Sequence, residues 1–445
     1  MKPNPLQAEA LEWMGTHKKG LLPLPVGQGK TGLALMFLEK LGEPAIVVST
    51  KHIIERTWPD EILKWGFPFS YASCCGPKKT REAAVAFRPM ILGVSFENLK
   101  WYYEQHDLVP RRVIFIDESS KMKDRGASRV EAQKRNAGQF HFAYALTGTP
   151  APESAMDMWA QFACLMKERP AGNLGEYRAN FFNAVRSGDD THTDYHIRPD
   201  GLQKISKCYR PYFFKPSPEK ISDFGIPAPR HLEIKIPWIS EDDFKLYETM
   251  AKEMCLFDGA EYNFEDLLIA DSAGILQNKL RQMASGFMYK DEEVSLFDWY
   301  ADKTNALNHY VERLAGEPLL CFAQYDEELI QIEANFPNAQ FGLPDNLDDW
   351  NSRSIPLMVL HPKSASHGLN LQEGSHNILF YSLPWGGQDF DQSVGRLQRM
   401  GQRHQVTIAR FIREGTIEAR MFTEIQRKSR DQIATVNALG EGENV

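Results

Sequence analysis

Over the first third of the chain, short unbroken apolar runs alternate with polar, helix-capable stretches. Ala45-Ile46-Val47-Val48-Ser49, Met90-Ile91-Leu92-Gly93-Val94, Val113-Ile114-Phe115-Ile116 and Phe142-Ala143-Tyr144-Ala145-Leu146 each read as a strand. A strand covered by helices on both faces is apolar at successive positions, not alternate ones. The runs therefore predict a parallel sheet in a doubly wound α/β arrangement. From about residue 166 the pattern changes. The stretch Gly172–Lys220 mixes polar and aromatic residues, and Pro211, Pro216, Pro218, Pro227 and Pro229 gather at its end. That predicts an irregular helical subdomain and an extended linker. A helical stretch follows at about 240–315. Strand-like runs then return at Leu319–Phe322, Leu357–Leu360, Ile378–Tyr381 and Thr407–Phe411, before a closing helix near 416–435. The expected division is 1–165, a first α/β lobe; 166–232, the helical subdomain and linker; and 233–445, a helical lead-in and a second α/β lobe. No internal sequence repeat is visible.

The 445 residues are too many for one ordinary domain, and 42% apolar content is enough to bury real cores. A net charge of −8 excludes a uniformly basic nucleic-acid binder, so any phosphate contact must be local. Between Arg313 and Arg353 there is no Lys or Arg, while Glu317, Asp326, Glu327, Glu328, Glu333, Asp345, Asp348 and Asp349 are acidic. That segment is expected to face solvent. Basic residues gather at Lys121, Lys123, Arg125, Arg129, Lys134 and Arg135, and again over Arg396–Arg430. For either patch alone, a solvated helical face is the simpler explanation. The start lacks an apolar core, and no run of about 18 apolar residues occurs, so neither a signal peptide nor a membrane span is expected. Six cysteines without a C-x-x-C suggest neither zinc nor disulfides, and a cytoplasmic location is expected. His192 with His196, and His361 with His367, lack the further ligand that zinc requires.

Three motifs carry chemistry. Gly27-Gln28-Gly29-Lys30-Thr31 follows a short apolar run and opens a helical pattern. Glycines let backbone N–H groups turn toward phosphates, and the helix N-terminus adds a favourable dipole. Lys30 is expected to reach the outer phosphates of ATP, and the Thr31 hydroxyl to hold Mg²⁺. The complete phosphate-loop pattern would have Gly at position 24, where Leu24 stands. Val113-Ile114-Phe115-Ile116-Asp117-Glu118 is an apolar strand ending in two carboxylates, placed where such sheets face their ligand. Asp117 is expected to orient Mg²⁺ and Glu118 to polarise the attacking water. Near the end, Arg396 and Arg399 are three apart and would share one helix face, aimed at a γ-phosphate.

These residues resemble superfamily-two helicase-like ATPases with two RecA-like lobes, and within them the Swi/Snf-type DNA translocases. Pro5-Leu6-Gln7-Ala8-Glu9-Ala10-Leu11-Glu12-Trp13-Met14 resembles their opening P-Y-Q-x-x-G-x-x-W-L. Val47-Val48-Ser49-Thr50, with Trp58, Glu61 and Trp65, resembles motif Ia, and Ser95-Phe96-Glu97 resembles motif Ib. Ala145-Leu146-Thr147-Gly148-Thr149-Pro150 matches motif III. Leu280-Arg281-Gln282, Leu319–Tyr325 and Ser364–Leu371 resemble later segments, the last with both leading glycines replaced. Trp385–Gln402 matches the W-N-P-x-x-x-x-Q-A-x-G-R-x-x-R-x-G-Q segment. Asp117-Glu118-Ser119-Ser120 stands in place of D-E-A-H, which removes the His that contacts motif III.

The resemblance spans roughly residues 3–430, with the motifs in family order. It implies an α/β chain of two RecA-like parallel-sheet lobes in tandem, using ATP and Mg²⁺. It places Gln7 on the adenine edge and Thr147, Gly148, Thr149 and Gln392 in coupling. Ser49, Thr50, Ser95, Gly368 and Asn370 are its nucleic-acid candidates. The triphosphate is expected between Lys30 on one lobe and Arg396 and Arg399 on the other. The implied function is DNA-stimulated translocation on double-stranded DNA by a monomer, with local basic patches meeting the DNA and a separate protein directing it. Two alternatives remain open: a strand-separating helicase on branched DNA or RNA, and an ATP-gated nucleic-acid clamp or scaffold. The second α/β core ending in the two arginines makes a P-loop kinase or transporter ATPase a poor fit.

Overall fold

The computed structural model describes the chain except for residues 1, 26, 106–107, 187–192, 218–225, 254, 258–266, 270–272, 291–292, 345–346, 368–369 and 441–445. It divides into two compact units: Met1–Gly225 with Lys428–Val445, and Ile226–Arg427.

In the first unit, strands β1 (Lys19–Pro23), β2 (Ala45–Ser49), β3 (Tyr71–Cys74), β4 (Ile91–Ser95), β5 (Val113–Asp117) and β6 (Phe142–Thr147) form one parallel sheet. Their order is β1-β6-β5-β2-β4-β3. Successive residues of a strand point to opposite faces. Ile46, Val48, Ile114, Ile116, Ala143 and Ala145 accordingly enter one core, and Val47, Val113, Phe115, Tyr144 and Leu146 enter another. Residues 166–225 belong to this unit. There, β7 (Phe182–Arg186) and β8 (Thr193–Ile197) form an antiparallel hairpin between helices Leu174–Phe181 and Gly201–Tyr209. Phe181, Phe182 and Phe213 are buried in the sheet's core, so these aromatics pack instead of forming a stacking platform. The far end of the closing helix Ile417–Gly440 seats on the same unit, with Ser206 Oγ donating to the Ala438 carbonyl at 2.6 Å and Leu439 fully buried.

The second unit opens with β9 (Arg230–Ile236), which begins inside the stretch read as linker. Two small hairpins follow, β10 (Cys255–Phe257) with β11 (Leu267–Ile269), and β12 (Phe287–Lys290) with β13 (Glu293–Leu296). Among the described residues, the stretch expected to be helical is thus three helices, Glu241–Glu253, Ala273–Ala284 and Asp302–Arg313, interrupted by hairpins. Cross-strand pairs such as Phe287 with Leu296 and Tyr289 with Val294 explain why β12 and β13 prefer strand pairing. Then β14 (Leu319–Phe322), β15 (Gln340–Phe341), β16 (Leu357–Leu360), β17 (Asn377–Phe380) and β18 (Thr407–Arg413) join β9 in a six-stranded parallel sheet. Its order is β15-β16-β14-β17-β18-β9. Again the faces alternate: Leu320, Phe322, Ile378 and Phe380 enter one core, and Leu319, Cys321, Leu379 and Tyr381 the other. No helix among the described residues is long and apolar enough to cross a membrane.

Two acidic residues expected at solvent are buried instead. Glu328 completes a capping box on helix Asp326–Asn335, and its carboxylate accepts from the Gln324 N–H at 2.9 Å, Ser382 Oγ at 2.7 Å and Ser285 Oγ at 2.7 Å. Glu327 accepts from the Tyr300 hydroxyl. Beside them, the fully buried Lys303 pairs with Glu418 and donates to Ser285 Oγ at 2.9 Å and the Tyr381 carbonyl at 3.2 Å. Glu418 also accepts from the Arg413 N–H, and Arg413 pairs with Asp302 at 3.0 Å. Removing one partner of such a pair strands a charge in low dielectric. Lys303→Ala is expected to destabilise the second unit by about 3–5 kcal/mol. A urea titration with an unchanged midpoint for that unit's transition would contradict this.

Candidate functional site

Gln7 is the third residue of helix Pro5–Thr16. Its N–H donates to Asn4 Oδ1 at 2.7 Å and its Oε1 accepts from the Asn4 N–H at 3.0 Å, a reciprocal cap. The remaining amide nitrogen donates to the Gly29 carbonyl at 3.0 Å. A side chain placed by resemblance on the adenine is therefore anchored to the phosphate-loop backbone. Gly27 and Gly29 both have positive φ, at 82° and 71°. A Cβ on Gly29 would lie 2.6 Å from the Gln7 amide nitrogen. Gly29 caps helix Lys30–Leu41, which places Lys30 and Thr31 in its first turn. The Lys30 ammonium donates to the carbonyls of Leu24 at 3.3 Å and Pro25 at 3.5 Å. Leu24 itself is fully buried among the core residues of one sheet face, which accounts for an apolar residue where the usual loop has Gly. Gln28 is buried, and its Oε1 has no hydrogen-bond partner among the described residues.

Asp117 ends β5. Its carboxylate accepts from Trp58 Nε1 at 3.2 Å and from the Glu118 N–H at 3.1 Å. Burial, reinforced by the neighbouring Glu118 charge, pushes its pKa up to about 6, with the Lys30 ammonium acting in the opposite sense. Glu118 follows in the left-handed region, at φ 54° and ψ 48°. Such a conformation is uncommon for a residue with a Cβ and persists only where neighbours hold it. Thr147 ends β6, and its Oγ1 accepts from the Thr149 N–H at 3.0 Å. Ser49 and Ser95 end neighbouring strands and are register partners. Ser95 Oγ accepts from Asn98 Nδ2 at 3.0 Å. Ser49 Oγ and Thr50 Oγ1 are buried without a hydrogen-bond partner among the described residues. The phosphate loop, the carboxylate pair, Thr147 and the two serines thus lie at the carboxyl edge of one sheet, where doubly wound folds bind ligands.

The basic cluster at 121–135 is largely engaged within the unit. Lys123 pairs with Glu153 at 3.1 Å, Lys134 with Glu131 at 2.6 Å, and Arg129 donates to the Lys121 carbonyl at 3.0 Å.

In the second unit, helix Gly387–Val394 carries Gln392 and stops at Gly395. Arg396 and Arg399 lie beyond it, in a run of turns where Arg396 N–H bonds to Ser393 and Leu397 N–H to Val394. The one-face helix argument for the pair therefore fails. Arg396 is buried, with Nε donating to the Gln392 carbonyl at 3.2 Å, while Arg399 is only half-buried. Asp391, just before Gln392, has its carboxyl pushed up to about 7 by burial alone. Asn370 is exposed, and Gly368 lies outside the described residues. Sequence reasoning missed Trp58 as the donor to Asp117, and it missed Asn4. The Asn4-x-x-Gln7 spacing was a readable capping signal, whereas nothing in the sequence pairs Trp58 with a residue 59 positions away.

The SNF2-related domain family matches residues 6–286, well over half of the chain. The chain belongs to that family. It is a helicase-like ATPase of the Swi/Snf type, an ATP-dependent motor acting on nucleic acid. Among curated proteins it is 26% identical to protein p41 of the Acyrthosiphon pisum secondary endosymbiont phage 1, over 94% of each chain. It is 22% identical to a Mycoplasma genitalium protein named as an ATP-dependent helicase, over 96% of this chain but 41% of that one. Among solved structures, the Sulfolobus solfataricus SWI2/SNF2 ATPase core in complex with dsDNA aligns with 98% of this chain and 95% of its own, at 17% identity and a TM-score of 0.44.

The close approach of Gln7 to Gly29 makes one substitution decisive. Gly29→Ala combines a strained φ with a clash against the Gln7 amide. ATP affinity is expected to fall about tenfold or more while the fold persists, as calorimetric titration would detect. Wild-type affinity in this variant would show that the loop conformation is not needed.

Proposed function

We propose that the chain translocates on double-stranded DNA as a DNA-stimulated ATPase, following one strand without separating the two. The observation that carries this reading is the meeting of Lys30, Asp117 and Glu118 at one sheet edge in a chain of the SNF2-related family. Lys30 binds the outer phosphates and Gln7 the adenine edge. Arg396 and Arg399 neutralise charge on the transferring phosphoryl group. Thr147, Gly148, Thr149 and Gln392 couple turnover to movement. Gly368 and the exposed Asn370 meet the strand being followed, whereas Ser49, Ser95 and the Thr50 hydroxyl, expected there as well, are buried at or just beyond their strand ends. The Thr31 hydroxyl and Asp117 carboxylate offer hard oxygen ligands that suit Mg²⁺. When bound, Mg²⁺ neutralises charge that develops on the phosphates. Glu118 accepts a hydrogen bond from the attacking water and aligns it with the γ-phosphorus. The family resemblance supports double-stranded DNA as the track, and a basic cluster partly paired with Glu153 and Glu131 suits a motor that must release each site it passes.

Glu118→Gln is expected to bind ATP and stall. Arg399→Ala is expected to lose on the order of 10³–10⁵ in turnover with binding retained. Normal steady-state rates in either would remove that residue from the mechanism. The rate should rise with double-stranded DNA and less with RNA, and DNA affinity should fall with salt. Triplex displacement without duplex unwinding separates translocation from strand separation. No stimulation at saturating DNA would favour the clamp.

The carboxyl of Asp117 also sets a pH dependence. Its folded pKa of about 6 lies above the ordinary carboxylate value of about 3.9, so the folded chain keeps a proton that the unfolded chain loses. Its stabilising contribution without metal is full below about pH 4 and is lost as pH rises through about 6. Mg²⁺ needs the ionised form. Mg²⁺-dependent nucleotide affinity is therefore expected to weaken as pH falls through about 6, and Asp117→Asn should reduce that dependence to the part set by the nucleotide's own terminal phosphate, which also titrates at about 6. A flat profile in a fluorescent-nucleotide titration would contradict it.

A further inference from the structure

Ser119 directly follows the carboxylate pair and is buried. Its Oγ donates to Gln161 Oε1 at 2.8 Å. Gln161 is also buried, on helix Asp157–Leu165, every residue of which is buried. Its Nε2 donates to the Pro150 carbonyl at 2.5 Å and to the Asp157 carbonyl at 3.2 Å. Two carbonyls around the amide nitrogen fix its orientation, since the flipped amide would set oxygen against oxygen. Oε1 must then face Ser119, whose hydroxyl supplies the proton. The same helix holds the far side of the turn: Asp157 Oδ2 accepts from the Glu153 N–H at 2.8 Å and the Ser154 N–H at 3.2 Å.

A continuous run of hydrogen bonds thus leads from the residue after Glu118 to the residue after Thr149. At one end is a carboxylate residue in a left-handed conformation that its neighbours must hold. At the other is the Gly148-Thr149-Pro150 turn. The run stands where Ser119-Ser120 replaces the family's Ala-His.

We propose that Gln161 is a positioning residue that ties Glu118 to the Gly148-Thr149-Pro150 turn, so that engagement of nucleic acid at that lobe changes how Glu118 orients the attacking water. This rests on the motor reading above. It treats neither Ser119 nor Gln161 as touching the nucleotide.

The test measures kcat and KM for ATP, with and without saturating double-stranded DNA, in the full chain and in Ser119→Ala, Gln161→Leu and the double variant. The ratio of stimulated to unstimulated kcat is expected to fall about 10–100-fold in each single variant. The double should be no lower than Gln161→Leu, because both changes cut one path. KM for ATP should stay within about twofold, because binding groups are untouched. Stability supplies the control. Each single variant strands a buried polar partner and should lower Tm, while the double removes both ends of the Ser119–Gln161 bond and should recover part of the loss. A merely structural role predicts that the stimulation ratio recovers along with Tm, and that outcome would overturn the proposal. So would Gln161→Leu stimulated as fully as wild type. A wild-type chain without ATP turnover sinks the motor reading and this relay with it, and so is distinguishable from failure of the relay alone.

Discussion

A parallel sheet imposes one constraint on everything that follows. Each strand must be re-entered from the same side, so every strand ends at the same edge. In the first unit that edge gathers what the chain presents after β1, β2, β4, β5 and β6: the glycine loop, Ser49, Ser95, Asp117 and Thr147. Residues scattered over more than a hundred positions become neighbours by topology alone. The strands can hold them there because alternate side chains lock into two separate cores, leaving only the strand ends to carry polar groups.

Short-range bonds then set each group. Gln7 is fixed by its own helix cap and spends one of its two amide N–H donors on Gly29, which leaves the other for a ligand. Asp117 is held by an indole and a backbone N–H, and Thr149 by Thr147. A site organised this way loses little freedom when a ligand arrives. Its cost appears as a buried carboxyl that resists ionisation and a non-glycine residue in left-handed conformation. Both are tolerable because a deeply packed scaffold surrounds them.

The same constraint explains what could be read from the sequence. The eight strands legible as apolar runs are the four central strands of each sheet: β6, β5, β2 and β4 in one, β16, β14, β17 and β18 in the other. A central strand is covered on both faces and paired on both sides, so its burial leaves an unbroken apolar signature. Of the four edge strands, β1 is buried at four of its five residues and shows as the short apolar run before the glycine loop, while the other three did not announce themselves as strands. β3 is mostly half-buried, β15 is two residues long, and β9 alternates exposed Arg230, His231, Glu233 and Lys235 with apolar positions inside a proline-rich stretch. The hairpins within 240–315 depend on cross-strand partners that no local pattern reveals. The arginine pair shows the opposite failure. Spacing suggested one helix face, but the helix ends at Gly395 and the two side chains differ in burial. Periodicity presupposes that a helix continues, and Gly in the run was the warning.

The chain is acidic overall, and its most visible basic cluster is partly neutralised by Glu153 and Glu131; Glu153 also pairs with Lys428 at 2.6 Å. Lysines committed in this way contribute less counterion release, and therefore less affinity, than their number suggests. On the motor reading this is a coherent design. A protein that steps along a phosphate backbone needs contacts strong enough to bear one step and weak enough to break in the next.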